Sequence, residues 1–300
     1  FAGGLMASFK AVALFAPRGR IPLLNSWVMA FGGVGVLVAS YPAHVTAAAL
    51  GWRGLFFLLA AVTAAVACVI FVAAPRRGEG GGGDGLKAAL DGLARVYRSA
   101  EFWRIAPYVM TTGGAHIAIQ TLWAAPWLGD VAGYDRGGVA QVLTGMAVAF
   151  LVGILGAGAA SDVARRFGKG PLFVMHIALA AFLMSEMLIV LGFVDWIWPI
   201  WLAFALTGQL GVLAYAHLAD HFGAALAGRS NTALNLLLFA AAAGLQFGIG
   251  VALEAWPAID GVRPAAAYQT VFGAILALQA LAGLWCLAAT RANRRRLTSP

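Results

Sequence analysis

Apolar residues come in long runs along this chain, broken by short polar clusters, and no run shows the alternation of a half-buried strand. Runs at about 21–43, 52–74, 103–128, 138–160, 171–193, 196–219, 231–254 and 267–290 are each long enough for a helix to cross about 30 Å of hydrocarbon. A shorter run over 1–16 reads as the end of one more helix. Hydrocarbon offers the backbone no hydrogen-bonding partner, so only helices or closed barrels span it. A barrel needs the alternation that is missing. The pattern predicts an all-α polytopic membrane protein with about eight full transmembrane helices plus one partial one.

Residues 75–100 break the pattern. Arg76, Arg77, Glu79, four consecutive glycines at 80–83 and Asp84 lead into an amphipathic stretch over 86–97. This predicts a flexible linker followed by a helix lying at the membrane surface. It divides the chain into a first helical bundle ending at 74 and a second bundle over 101–290, with a basic tail at 291–300. A partial repeat supports two bundles. Gly19-Arg20 and Gly228-Arg229 each open a span, each follows a phenylalanine (Phe15, Phe222), and each precedes an early asparagine (Asn25; Asn231 and Asn235). On this repeat, 1–74 corresponds to roughly 214–290. The second bundle then has six helices, and about three and a half helices of the first are expected upstream of Phe1.

Composition agrees. Hydrophobic residues make up 62% and charged residues 11%, with a mean hydropathy of +0.85; a soluble domain carries about 25% charged residues. The net charge of +8 does not indicate nucleic acid, because lysines and arginines sit in short clusters between apolar runs. Sixteen of them fall on one set of alternate connections and three on the other, with Lys10 inside a span. Positive residues concentrate on cytoplasmic loops, so the 75–100 linker and the C-terminus are expected in the cytoplasm. Cys68 and Cys286 lie inside apolar runs with no metal-ligand spacing. His217, Asp220 and His221 have a spacing that could ligate a metal, but a solvated helix end explains them as well. No metal site and no cofactor are expected.

Four features resemble the major facilitator superfamily. The loop Gly158-Ala-Ala-Ser-Asp162-Val-Ala-Arg165-Arg166-Phe-Gly168-Lys169 is similar to the family's cytoplasmic Gly-x-x-x-Asp signature, with extra residues between Asp162 and Gly168. Gly51-Trp52-Arg53 opens the last helix of a half. A third is the stretch from Gly228 through Asn235 to Gln246 and Gly250, and the fourth is the long basic linker. The resemblance implies two bundles that rock about a central site. It also implies gating by Gly158, Asp162, Arg165 and Arg166, with the glycine allowing close helix approach and the acid pairing with an arginine; the same charges could equally be a solvated topology signal.

The resemblance further makes 1–16 the family's fourth helix, and 103–128 and 196–219 its seventh and tenth, all lining the cavity. Lys10 is then a candidate substrate ligand, or a side chain that snorkels to the interface. His116, Gln120 and Trp123 share one helical face and suit a substrate wall; interhelical hydrogen bonding uses the same residue types. Asn231, Asn235 and Gln246 form a second stripe, for packing or substrate contact. Glu186 belongs either to a proton path with His176 or to a polar contact with a neighbouring helix. The function implied is a secondary active transporter in a bacterial inner membrane, moving a small solute, with an organic anion favoured by Lys10 and a proton as candidate co-substrate. A polytopic membrane enzyme and a non-transporting receptor on the same fold are the alternatives. The oligomeric state is not readable.

Overall fold

The computed structural model describes residues 41–73, 86–208 and 210–298, together with residues 8, 11, 27, 28, 31, 32, 34, 35 and 38. Lys10, Asn25 and the Gly19-Arg20 pair lie outside the described residues. The chain forms two compact units, Met29–Asp91 and a larger one of Phe1–Val28 with Gly92–Pro300. All described elements are helical, apart from a single bridge between Ile259 and Val262.

In the smaller unit, α1 (Tyr41–Ala73) is two helices in series, because Gly51 adopts φ 70° and ψ 165°. The second part is almost wholly apolar, and Ala49–Val72 is long and apolar enough to cross a membrane. At its start the Arg53 guanidinium lies 4.3 Å from the centre of the Trp52 ring.

The larger unit begins in the second half of α2 (Leu86–Tyr97). Val96 is buried there, while Asp91, Arg95 and Arg98 stay exposed, which is the division the amphipathic pattern predicts. Next come α3 (Ala100–Ala118), a π-helical turn over Ile119–Trp123 and α4 (Ala124–Asp130), which together cover the run read at 103–128. Four further helices are α5 (Arg136–Arg166), α6 (Pro171–Val190), α7 (Ile197–Gly208) and α8 (Leu213–Leu253), with a short 3-10 turn at Leu210–Val212 between the last two. The final helix is α9 (Ala265–Thr298). Among the described residues six helices are long and apolar enough to span a bilayer. The α3–α4 segment, which carries Glu101, Arg104 and His116, is not among them.

Helix α8 is one continuous element that holds two predicted spans. Gly223, at φ 69° and ψ 172°, breaks it; such angles are cheap for glycine and strained for any residue with a Cβ. One arm completes the span begun by α7, and the other is the span read at 231–254.

Burial follows the helical period. On α5 the buried positions are Val142, Met146, Ala149, Gly153, Ala157, Ser161 and Ala164, a stripe with the three-and-four spacing of a packed helix face. The opposite face exposes Val148, Val152 and Leu155, as lipid contact allows. Small residues on the stripe bring α5 against α7. A Cβ on Gly145 would stand 2.7 Å from the Trp198 ring, and one on Gly153 would stand 2.1 Å from the Leu206 carbonyl oxygen. The α3–α8 contact is equally close: Gly114 meets Ala241 and the Ala242 backbone at 3.0 to 3.2 Å by the same measure. Buried side chains form two clusters, one around Trp127, Phe182, Trp201, Phe204 and Tyr268, the other around Phe102, Tyr108, Met175 and Leu218.

Candidate functional site

Polar groups collect where the π turn of the α3–α4 span meets the long arm of α8. The Trp123 indole nitrogen donates to the Gln246 carbonyl at 3.2 Å, and Gln246 Nε2 donates to Thr121 Oγ1 at 2.9 Å. The Trp123 ring has room because position 250 is glycine: a Cβ there would lie 3.3 Å from the ring edge. Gln120, Trp123 and Gln246 are all half-buried, and Thr121 is exposed. A π turn carries one more residue than an α turn and leaves a backbone group less well bonded, and such turns are frequent at functional sites.

That extra residue corrects the reading of a single face through His116, Gln120 and Trp123. The register expected from an unbroken helix ends at Ile119. His116 lies before the turn and points into the bundle, 1% exposed. It is stacked on Phe150 at 5.8 Å and 9°, with Phe204 at 5.3 Å and Phe182 at 6.1 Å. Its polar neighbours are Gln120 and the Ala205 backbone. Gly208 makes the space, since a Cβ there would fall 2.0 Å from the imidazole. His116 is thus an interior residue behind Gln120, and Gln120 and Trp123 are the members that remain partly accessible.

The second stripe also divides. Asn235 is buried and accepts from the Tyr215 hydroxyl at 3.1 Å, so it ties the two arms of α8 together across the Gly223 break. Gln246 alone of the pair reaches the π turn. Lys10 lies outside the described residues.

In the loop segment, Asp162 and Arg165 form an ion pair one helical turn apart, both well exposed, at 62% and 68%. Arg166 is exposed beside them, and Lys169 lies over the Phe173 ring at 5.5 Å. Gly158 is exposed, and among the described residues nothing lies within 4 Å of a Cβ built on it. The glycines of α5 that permit close approach are Gly145 and Gly153, which the sequence reading passed over although their spacing with Ala149 and Ala157 was visible.

At the start of α3 lies a group that was also missed. Glu101 accepts from Arg104 Nε at 2.8 Å and pairs with His217 Nε2 of α8 at 2.6 Å, while a second Arg104 nitrogen also bonds Glu101. The Arg104 side chain is 7% exposed and that of Glu101 12%. Burial alone would push the Glu101 carboxyl up. The hydrogen bonds and charges of His217 and Arg104 outweigh it and bring the group down to about 2. Arg104, counted from sequence among the connection charges, is buried, and His217 is hydrogen-bonded to Glu101 rather than solvated at a helix end. Among the described residues no group of histidines, cysteines and acids could hold a metal.

Glu186, on α6, is buried against Gln279 of α9. His176, ten residues earlier, faces Cys286 Sγ at 3.8 Å, about 15 Å away along the helix, so the two do not form a relay.

Comparison with known proteins gives one family. The model of the Major Facilitator Superfamily matches residues 1–247. No curated protein matches the chain.

Proposed function

The chain belongs to the major facilitator superfamily and is a membrane transporter, and we propose that it works as a secondary active transporter of a small organic anion by alternating access. The observation that carries the site is the contact at the π turn. Trp123, Thr121 and Gln246 join two helices through polar groups that stay partly accessible, within a span that by family resemblance faces the central cavity. In this reading Gln120, Trp123 and Gln246 contact substrate, His116 fixes Gln120 from behind, and Asn235 holds the bend of α8.

Lys10 supports the choice of an anion. It lies well inside its predicted span, whereas Arg53 and Arg104 are each the second residue of theirs, and no Asp or Glu occurs over 103–128 or 197–219. A cation would find no counter-charge on those helices, whereas a carboxylate could pair with the ammonium and accept from Gln120. The two bundles are 1–74 and 101–290, with the 75–100 linker and the C-terminus in the cytoplasm of a bacterial inner membrane. Asp162, Arg165 and Arg166 are the charged pair and neighbour that a rocking bundle would engage and release. A proton is the candidate driving ion.

Uptake of small radiolabelled carboxylates into proteoliposomes tests the reading. Lys10→Gln should abolish saturable uptake at unchanged expression, while Lys10→Arg should keep part of it. Unchanged uptake by Lys10→Gln would leave Lys10 a snorkelling side chain and remove the support for an anion.

A further inference from the structure

Glu186 of α6 and Gln279 of α9 are both 0% exposed, and both helices are long and apolar enough to span a membrane. Gln279 Nε2 donates to Glu186 Oε1 at 3.3 Å. The other oxygen of each side chain, Glu186 Oε2 and Gln279 Oε1, is buried without a hydrogen-bond partner. Nearby Ser185 does not supply one, because its hydroxyl is committed to the Phe182 carbonyl at 2.8 Å.

A carboxylate and an amide can make one bond here and no more, since both bare atoms are acceptors. Buried polar atoms in native proteins are nearly always paired, and a full charge at membrane depth is costly. One proton on Glu186 Oε2 removes both defects together. It supplies the missing donor and cancels the charge. Turning the amide over does not change the count, because the amide always brings one acceptor and one donor edge. Helices α5, α7, α8 and α9 pack against α6. Among the described residues, Gln279 is the side chain that acts on Glu186, and His176 on its own helix faces Cys286 instead.

We propose that Glu186 is a permanently occupied proton site: its acid form donates through Oε2 to Gln279 Oε1 while accepting from Gln279 Nε2, and this two-bond ring ties α6 to α9. In this arrangement the proton is held inside the bundle as part of the α6–α9 contact.

Infrared spectra of the reconstituted protein test this. A C=O band of a protonated carboxyl should be present in the native protein, absent from Glu186→Gln, and unchanged between about pH 5 and about pH 7, a window in which a solvated glutamate is ionised. Glu186→Gln remakes the ring as an amide pair and should melt with the native protein. Gln279→Leu leaves the acid without a partner and should melt lower. A band that vanishes as the pH rises through that window, no band that depends on Glu186, or a Glu186→Gln variant as unstable as Gln279→Leu would each overturn the proposal.

Discussion

Gly153→Ala adds one methyl group where α5 meets α7, and the geometry sets its cost. The new Cβ would stand 2.1 Å from the Leu206 carbonyl oxygen, 3.0 Å from its carbon and 3.2 Å from its Cα. Those are backbone atoms of a neighbouring helix, so no side-chain rotation relieves the clash. The helices must separate by about 1 Å, and the contacts of Gly145 with Trp198 and Leu202 loosen with them. Overpacking of this kind costs about 1–3 kcal/mol. Replacing a helical glycine by alanine returns up to about 1 kcal/mol of backbone entropy, so a net loss of roughly 1–2 kcal/mol is expected. Gly156 lies three residues further along the same helix, exposed, with nothing within 4 Å of its Cβ direction. Gly156→Ala should therefore hold or raise stability. Thermal unfolding of the two purified variants, followed by size-exclusion fluorescence, gives opposite signs if the packing is right. Equal melting temperatures for both would refute the α5–α7 contact.

The Glu101 network predicts a pH dependence. Its folded-state value of about 2 lies below the ordinary 4.5, so its contribution to stability is complete above about pH 4.5 and fades as the pH falls toward 2; Glu101→Gln should flatten that acid limb, and an unchanged melting profile would count against the network. Glu101→Ala should lower the melting temperature, because it removes the carboxylate that Arg104 and His217 share, and a melting temperature equal to the native one would contradict that. Gln246→Leu should raise the KM for the transported solute while leaving expression intact, and an unaltered KM would take Gln246 out of the site. Reporter fusions at Pro300 and near Gly82 should both read cytoplasmic, and a periplasmic signal from either would reverse the orientation.

Most helices could be read from sequence because each lipid-crossing segment must be continuous and apolar, a constraint that acts on every residue of the run. The segments read at 138–160 and 171–193 match α5 and α6 to within a few residues at the ends nearest them, and α5 then runs on through the charged Asp162–Arg166 segment. The site was less legible for three physical reasons. The π turn at Ile119–Trp123 shifts the register by one residue and separated His116 from Trp123; Pro126, whose ring crowds the carbonyl of Leu122 four residues back, was the signal passed over. Arg104 has the composition of a loop charge, and only the fold brings Glu101 against His217, 116 residues away. The close approach at Gly153 depends on which neighbour α5 meets, and its stripe with Gly145, Ala149 and Ala157 becomes decisive only once α7 is placed against it.

The break at Gly223 has a mechanical consequence. The two arms of α8 meet at a single residue with no loop between them, so the joint has no slack. By helical rise the arm over 213–222 is about 15 Å long and the arm over 224–253 about 45 Å. With arms so unequal the joint acts as a lever. A swing of roughly 10° about Gly223 carries the far tip at Leu253 about 8 Å but moves the near tip at Leu213 only about a third as far. The Tyr215–Asn235 bond, anchored near the tip of the short arm and about 18 Å along the long one, is the strut that opposes such a swing.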